Sequence, residues 1–242
     1  MSGHSKWSTI KRKKAVIDAK RGKIFSKLIK EISVAARHGG GDINANPRLR
    51  LAVDNAKAAN MPMDNIDRAI KKATGETEGA IYYEITYEGY GPSGVAILVE
   101  SLTDNKNRTV AEIRHIFSKG QGSLGESGSV AWMFDRKGVI TLPRQEKTED
   151  EIMEIILDAG AEDLQSEDDY FEITTGLENF ELVRNAIIDE NLDIENASLQ
   201  WIAKNTVSVE GEDSEKIMKL IEALEDNDDV QNVFSNADFA DM

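Results

Sequence analysis

The hydrophobic periodicity of the chain changes near Ile81, and this change limits the possible folds more than any other feature. Upstream of Ile81, apolar residues recur at spacings of three and four, which predicts amphipathic helices. Ile24, Leu28 and Ile32 belong to the first of these stripes, and the glycines at 39–41 end it. Downstream, apolar and polar residues alternate as in half-buried strands. We therefore expect a multi-domain α+β protein with a helical N-terminal domain.

Two further helices complete the predicted N-terminal domain. The pair Asn46-Pro47 is typical of a helix start, because Asn caps the first N–H groups and Pro suits the first helical position. A third helix is expected from about Asp64 to Ala73, and Gly75 ends it. We predict that this helical bundle spans residues 1–79.

Strands dominate the middle of the chain. Tyr83, Ile85 and Tyr87 share one face of an alternating strand, and this face is expected to lie in the core. A continuous apolar run at 95–99 predicts a buried strand, a helix follows, and a further strand is expected at 130–134.

After Gly138, the predicted elements follow the order β-α-β-β-α-β, which is that of the ferredoxin-like unit. Thr148 and Glu151 form a capping box for its first helix. The chain then closes with a strand, a helix and a strand over 206–236. Residues 81–134 supply only three strands and one helix, so we expect this last segment to complete their layer. The prediction is a discontinuous α+β domain, 80–136 and 205–242, with a ferredoxin-like domain, 137–204, inserted in it.

The charge of the chain is strongly divided. Residues 1–30 hold ten Lys or Arg and one acidic residue, whereas the whole chain has a formal net charge of −15. Residues 1–80 carry 17 basic and 8 acidic residues, and the remainder carries 12 and 36. A dense cationic row favours a polyanion, because neutralised phosphates release condensed counterions. A solvated basic arm without a ligand is the alternative interpretation.

The candidate nucleic-acid-binding residues lie in this basic domain. They are Lys6, Trp7, Lys11, Arg12, Lys13, Lys14, Lys20, Arg21, Lys23, Lys27, Lys30, Arg37, Arg48 and Arg50. Trp7 is included as a base-stacking residue, and packing against the first helix is its alternative role. A possible secondary contact combines Tyr90, which could stack on a base, with the cations Lys106 and Arg108.

Composition excludes several classes of protein. The chain has no Cys, which excludes disulfides, thiolate zinc sites and a cysteine nucleophile. No apolar stretch reaches the roughly 20 residues of a membrane span, and no apolar run follows the basic N-terminus as in a secretory signal. Glu112 and His115 have the spacing of a carboxylate-bridged di-metal helix, but that site needs a second copy on another helix, and the sequence has none. His4 and His38 have no carboxylate or nucleophile at a fixed spacing. We expect no enzyme, cofactor, metal or small-molecule substrate, and a cytoplasmic location.

Two local patterns resemble ligand-binding motifs, one for a dinucleotide and one for calcium, but neither has the required context. The string at 120–125 matches G-x-G-x-x-G, but it follows a helix and precedes a strand, the reverse of a dinucleotide site. We expect a loop whose glycines supply positive φ. The acidic run from Glu225 to Asp229 lacks the Gly and the distal Glu of a calcium loop, which favours a solvated turn.

Several strings together resemble the YebC-like family. They are residues 1–7 (MSGHSKW), 20–23 (KRGK), 46–50 (NPRLR), 60–62 (NMP), 87–92 (YEGYGP), 102–105 (LTDN), 107–109 (NRT), 124–125 (LG) and 128–130 (GSV). The match covers essentially the whole chain. The resemblance implies three domains, the last inserted in the second, and a cytoplasmic protein of a family described mainly as probable transcriptional regulators. Mitochondrial relatives are described as translational activators, and some bacterial relatives as factors acting at stalled ribosomes. The resemblance transfers no binding residue.

These observations favour a non-enzymatic regulator that binds DNA through its basic helical domain. A ribosome-associated translation factor that binds ribosomal RNA is the first alternative, because both targets are phosphate chains. A protein-interaction scaffold that uses the ferredoxin-like sheets is the second alternative.

Overall fold

The computed structural model describes residues 21–75, 80–144 and 147–239, and at Arg21 the backbone alone. In chain order its elements are α1 (Arg21–Gly39), α2 (Pro47–Ala58), α3 (Met63–Thr74), β1 (Tyr83–Tyr90), β2 (Ala96–Thr103), α4 (Lys106–Lys119), β3 (Ser123–Leu124), β4 (Phe134–Pro143), α5 (Glu149–Leu157), β5 (Ala161–Ser166), β6 (Tyr170–Thr175), α6 (Phe180–Asp189), β7 (Asn196–Ala203), β8 (Val207–Val209), α7 (Gly211–Glu225), β9 (Val230–Ser235) and β10 (Ala237–Phe239). The predicted α+β class, with a helical N-terminal domain and two α+β domains, is confirmed.

The helices α1, α2 and α3 pack around a core of their own that includes Ile32, Leu49 and Ile66. Gly40, with φ +84°, follows the end of α1. The predicted cap is confirmed: Asn46 Oδ1 accepts the N–H of Leu49, and Asn46 Nδ2 donates to the carbonyls of residues 35 and 40. One Asn therefore starts α2 and joins it to the end of α1.

The middle sheet has the order β3-β1-β2-β9 and is antiparallel throughout. The helices α4 and α7 cover one face of this sheet, where Ile97, Phe117 and Leu220 are buried in a shared core. β9 belongs to the C-terminal segment, and it pairs with β2 as expected. β10 pairs with β8 in a small parallel ribbon that sequence analysis did not predict.

The third sheet has the order β5-β6-β4-β7, with antiparallel neighbours and with α5 and α6 packed against it. This is the arrangement of a βαββαβ ferredoxin-like unit. The capping box of Thr148 and Glu151 is present at the start of α5. β4 begins at Phe134, so the predicted boundary at residue 137 falls inside this strand. The domain boundaries stay predictions.

Two local predictions are wrong. Residues 131–133 form a 3₁₀ turn instead of a strand, and β4 follows it and runs through Gly138. Tyr83, the first residue of β1, is not in the core, since it is 42% exposed. Within the described residues, no helix is long and apolar enough to cross a membrane.

Candidate nucleic-acid interface

Eight of the fourteen predicted nucleic-acid-binding residues lie outside the residues whose side chains are described. They are Lys6, Trp7, Lys11, Arg12, Lys13, Lys14, Lys20 and Arg21. Their assignment stays a prediction, as does that of the residues described below.

The described part of the basic domain contributes Lys23, Lys27 and Lys30, which we call the lysine row. They follow one another on α1 at spacings of four and three, which places them on one helix face. All three side chains contact the turn Glu225–Asp229, which we call the acidic turn and which links α7 to β9. The structure therefore brings the row together, with a segment of the same chain opposite it.

Main-chain carbonyls supply most of the oxygen ligands of the row. Lys23 Nζ donates to the carbonyl of residue 226 at 3.0 Å, and Lys27 Nζ donates to the carbonyl of residue 225 at 2.8 Å. Lys30 Nζ reaches the carbonyls of residues 228 and 102 at 2.9 and 3.3 Å. The last carbonyls of a helix lack intrahelical partners and carry partial negative charge, so the end of α7 attracts cations.

Asp229 is the most highly connected group of the acidic turn. Its Oδ1 accepts from Lys30 Nζ at 2.8 Å, and its Oδ2 accepts from Arg108 at 2.6 Å and from the hydroxyls of Thr103 and Thr109 at 3.1 and 2.8 Å. Only 5% of Asp229 is exposed. The expectation of a simply solvated turn is therefore wrong at this residue, because three elements converge on its carboxylate.

The electrostatics of Asp229 follow from these contacts. Burial alone raises the pKa of a carboxyl group, but the hydrogen bonds from Arg108, Lys30 and Thr109 outweigh burial and lower the pKa of Asp229 to about 2. The same hydrogen bond raises the pKa of Arg108 above its ordinary value. Both side chains are charged at neutral pH, and each stabilises the other.

The arginines predicted to extend the basic surface have protein partners or lie partly buried. Arg48 forms a bidentate pair with Glu84 of β1, with both N···O distances at 2.9 Å, and its Nε donates to Glu31 at 2.9 Å. The Nε of Arg50 is buried and has no hydrogen-bond partner among the described residues. Arg37 is half-buried near the end of α1. Arg48 thus joins the helical domain to the middle sheet.

The three residues of the predicted secondary contact do not form one group. The hydroxyl of Tyr90 donates to the carbonyl of residue 129 at 2.9 Å, at the far end of β1. Lys106 Nζ lies 4.0 Å from the ring centroid of Tyr83, a cation–π contact. Arg108 belongs to the Asp229 cluster described above. Tyr90 is therefore separated from the two cations by the length of the strand.

The glycine-rich loop needs its glycines for close approach more than for positive φ. A Cβ on Gly122 would lie 2.5 Å from the carbonyl oxygen of Tyr90, whereas the positive φ values in this loop belong to Gln121 and Gly128. The buried carboxylate of Glu88 accepts N–H groups from residues 128, 130 and 131 at 2.6 to 2.8 Å. A carboxylate of the protein itself therefore occupies the anion-binding amides of this loop.

Some exposed groups were missed by sequence analysis. Trp132 is 66% exposed, and its indole N–H donates to the carbonyl of residue 129 at 3.1 Å. The incorrect strand prediction for 130–134 hid its exposure. Arg68, Lys71 and Lys72 are exposed on α3 and are absent from the candidate binding residues, although their spacing of three and four residues places them on one helix face.

The two described histidines, His38 and His115, lie apart from any group that could hold a metal ion. His38 Nδ1 lies 3.9 Å from Glu84, and His115 is exposed on α4. Across 21–75, 80–144 and 147–239, no three His, Cys, Asp or Glu residues are placed to hold a metal ion.

The fold and the charged interface define a three-domain α+β protein whose basic helical domain lies against an acidic turn. Comparison with known proteins gives its family. The model of the TACO1/YebC N-terminal domain matches residues 5–76, and that of the TACO1/YebC second and third domains matches residues 82–237. The chain belongs to the TACO1/YebC family.

Individual relatives agree with this assignment. A protein of Chlorobaculum tepidum is 58% identical over 242 residues, which is all of this chain and 96% of the relative. A protein of Desulfatibacillum aliphaticivorans is 59% identical over 241 residues, which is 100% of this chain and 98% of the relative. Both are named probable transcriptional regulatory proteins. The crystal structure of a conserved hypothetical protein from Aquifex aeolicus has a TM-score of 0.88 at 46% identity, with 95% of each chain covered.

Proposed function

We propose that the protein is a non-enzymatic regulator of gene expression that binds DNA through its N-terminal helical domain. The observation that carries this proposal is the lysine row, which presents three ammonium groups from one helix face to a series of oxygen acceptors. The same helix continues the basic stretch that begins at Lys6. The names of the relatives, as probable transcriptional regulatory proteins, support the regulatory role.

The expected binding is mainly to the phosphate backbone. Lysine ammonium groups at helical spacing neutralise phosphates and fix the register of the protein, but they do not read base edges. The acidic middle and third domains repel a polyanion, so they orient the helical domain towards the nucleic acid. Sequence preference would then depend on the shape of the nucleic acid or on a partner protein.

The salt dependence of binding tests the proposal. Replacing Lys11, Lys13, Lys14 and Lys20 by Gln should flatten the plot of log K against log salt by about 0.9 per lost phosphate contact on duplex DNA. The matched control replaces Lys137, Lys204, Lys216 and Lys219, which pair with acidic side chains in the other two domains. An unchanged slope, or an equal change in the control, would refute binding through the basic domain.

The choice of ligand separates the alternatives. The titration should be repeated with structured RNA of equal length and with ribosomes at the same salt concentration. Tighter binding to RNA or ribosomes than to duplex DNA would favour the translation factor. Absence of binding to all three, with a protein partner retained after nuclease treatment, would favour the interaction scaffold.

A further inference from the structure

The ligands of the lysine row resemble a phosphate backbone in their chemistry. Along the acidic turn, the carbonyls of residues 225, 226 and 228 and the carboxylate of Asp229 offer successive oxygen atoms to three ammonium groups. Lysine binds such oxygens as a compact point charge, without a requirement for one fixed geometry. The same three side chains can therefore exchange these ligands for phosphate oxygens.

The two sets of ligands exclude each other. The side chain of Lys30 is 15% exposed, and its ammonium group is enclosed by the acidic turn and by the carbonyl of Leu102 at the end of β2. A phosphodiester cannot reach this group while the turn is in place. Binding by the whole row therefore requires α1 to separate from the turn.

We propose that the acidic turn is an autoinhibitory element that occupies the lysine row until a nucleic-acid backbone displaces it. This inference rests on the proposed function, since it describes regulation of the same basic surface. The remaining contacts of the helical domain suit such a separation. Three of them are polar: Arg48 pairs with Glu84, Asp54 pairs with Arg184, and Asn55 Nδ2 donates to the carbonyl of residue 197 at 3.0 Å. Leu51 of α2 adds an apolar contact with the core of the third sheet. Polar contacts between domains permit domain motion more readily than a large apolar interface does.

The proposal predicts that weakening the turn strengthens nucleic-acid binding. When a competent state is only partly populated, the apparent Kd is the intrinsic Kd divided by the fraction in that state. Asp226→Asn removes an exposed carboxylate that lies 3.5 Å from Lys23, and it should tighten binding by about twofold, as befits an exposed pair. Asp229→Asn removes the charge that faces Lys30 and should tighten binding by about tenfold.

The matched control is Glu215→Gln. Glu215 is an exposed residue of α7 that pairs with Lys219 at 3.3 Å. Its replacement removes one negative charge, as the two test substitutions do, but at a position away from the lysine row. Its effect should be that of net charge alone, less than about twofold at physiological salt, where charges are screened beyond about 8 Å. The probes are duplex DNA and duplex RNA of equal length, which share the phosphate chemistry and differ in helix form.

A distance measurement makes the test independent of the stability of the variants. The chain has no Cys, so spin labels can be attached at introduced cysteines alone. Ala58→Cys on α2 and Ser118→Cys on α4 are exposed positions in the helical and middle domains. Pulsed EPR on this doubly labelled protein should show a longer or broader distance distribution when the nucleic acid is added.

Each outcome decides the question. Tighter binding by Asp226→Asn and Asp229→Asn than by the control, together with a changed distance in the labelled protein, supports autoinhibition. Binding of nucleic acid with equal affinity in all forms and an unchanged distance would overturn autoinhibition and leave the proposed function standing. If neither duplex binds to any form, the proposed function fails, and autoinhibition fails with it.

Discussion

The replacement of Asp229 by Asn tests whether its carboxylate holds the middle domain together. The variant keeps the size of the side chain and removes the charge that accepts from Arg108, Lys30 and two threonine hydroxyls. These donors belong to α1, α4 and the end of β2, while Asp229 itself directly precedes β9. The main chain of Asp229 also accepts the N–H of Leu102 at 2.8 Å, and this bond should survive.

The magnitude follows from the pKa of Asp229, which falls from its ordinary value near 3.8 to about 2 in the folded protein. Each pKa unit corresponds to about 1.4 kcal/mol, so the ionised carboxylate contributes about 2 kcal/mol to stability at neutral pH. This contribution is fully present above the unfolded-state pKa and is lost as the pH falls through the folded-state pKa. This figure already includes the loss of the charged partner of Lys30, so we expect Asp229→Asn to lose about 2 kcal/mol at pH 7.

The assay must follow the middle domain alone, because a three-domain chain need not unfold in one step. Urea titrations with pulsed hydrogen exchange and mass spectrometry on peptides from β2, α4 and β9 report this domain directly. Between pH 5 and pH 2, the native protein should lose about 2 kcal/mol more than Asp229→Asn. Asp104→Asn is the control, since Asp104 accepts from the same Arg108 nitrogen at 2.9 Å but lies exposed.

Two results would refute this reasoning. One is a loss at pH 7 no larger than that of Asp104→Asn, which we expect to stay below about 1 kcal/mol for an exposed pair. The other is an equal loss of stability in the native protein and in Asp229→Asn between pH 5 and pH 2. Either result would mean that the ionised carboxylate of Asp229 does not stabilise the middle domain by the expected amount.

Three further substitutions follow from other contacts. Burial alone would raise the pKa of Glu88, but three main-chain N–H donors lower it. Glu88→Gln should therefore lower the stability of the loop by about 2 kcal/mol at neutral pH, and the difference from the native protein should disappear in acid, where Glu88 is protonated. Hydrogen exchange of the loop amides measures this stability. Gly122→Ala should destabilise the same loop, because its Cβ would meet the carbonyl of Tyr90 at 2.5 Å, and thermal unfolding would show it. Arg184→Met should remove the ion pair that joins α6 to Asp54 of α2 and so weaken the contact between the helical and third domains. Limited proteolysis should then release the helical domain faster than it does from the native protein.

The local structure could be predicted wherever short-range chemistry determines it. The Asn46 cap, the end of α1 before Gly40 and the capping box of Thr148 each depend on groups within a few residues. The ferredoxin-like order was predictable for the same reason, since it follows from the alternation of local periodicities. The strand prediction at 130–134 failed because Glu88, 42 residues upstream, binds the backbone there and holds a 3₁₀ turn.

The candidate interface shows the corresponding limit. A basic stretch and an acidic run are both visible in the sequence, but nothing local indicates that Lys30 meets Asp229, which lies 199 residues further on. Each run, considered alone, favours contact with solvent or with a ligand. The burial of Asp229 depends on Thr103, Thr109 and Arg108 from another part of the chain. Residues 102–109 thus supply the two hydroxyl groups and the guanidinium group that bind Asp229.

The pairing also changes what a count of charges can predict. Residues 1–30 contain ten cations, but three of them, the lysine row, already contact oxygen atoms of the same protein. If the row stays on the acidic turn, seven cations of this segment remain, and the slope of log K against log salt on duplex DNA can reach about −6. If the turn is displaced, all ten can contribute, and the slope can reach about −9. The slope measured for the native protein therefore shows whether the lysine row contacts phosphate groups in the complex or stays on the acidic turn.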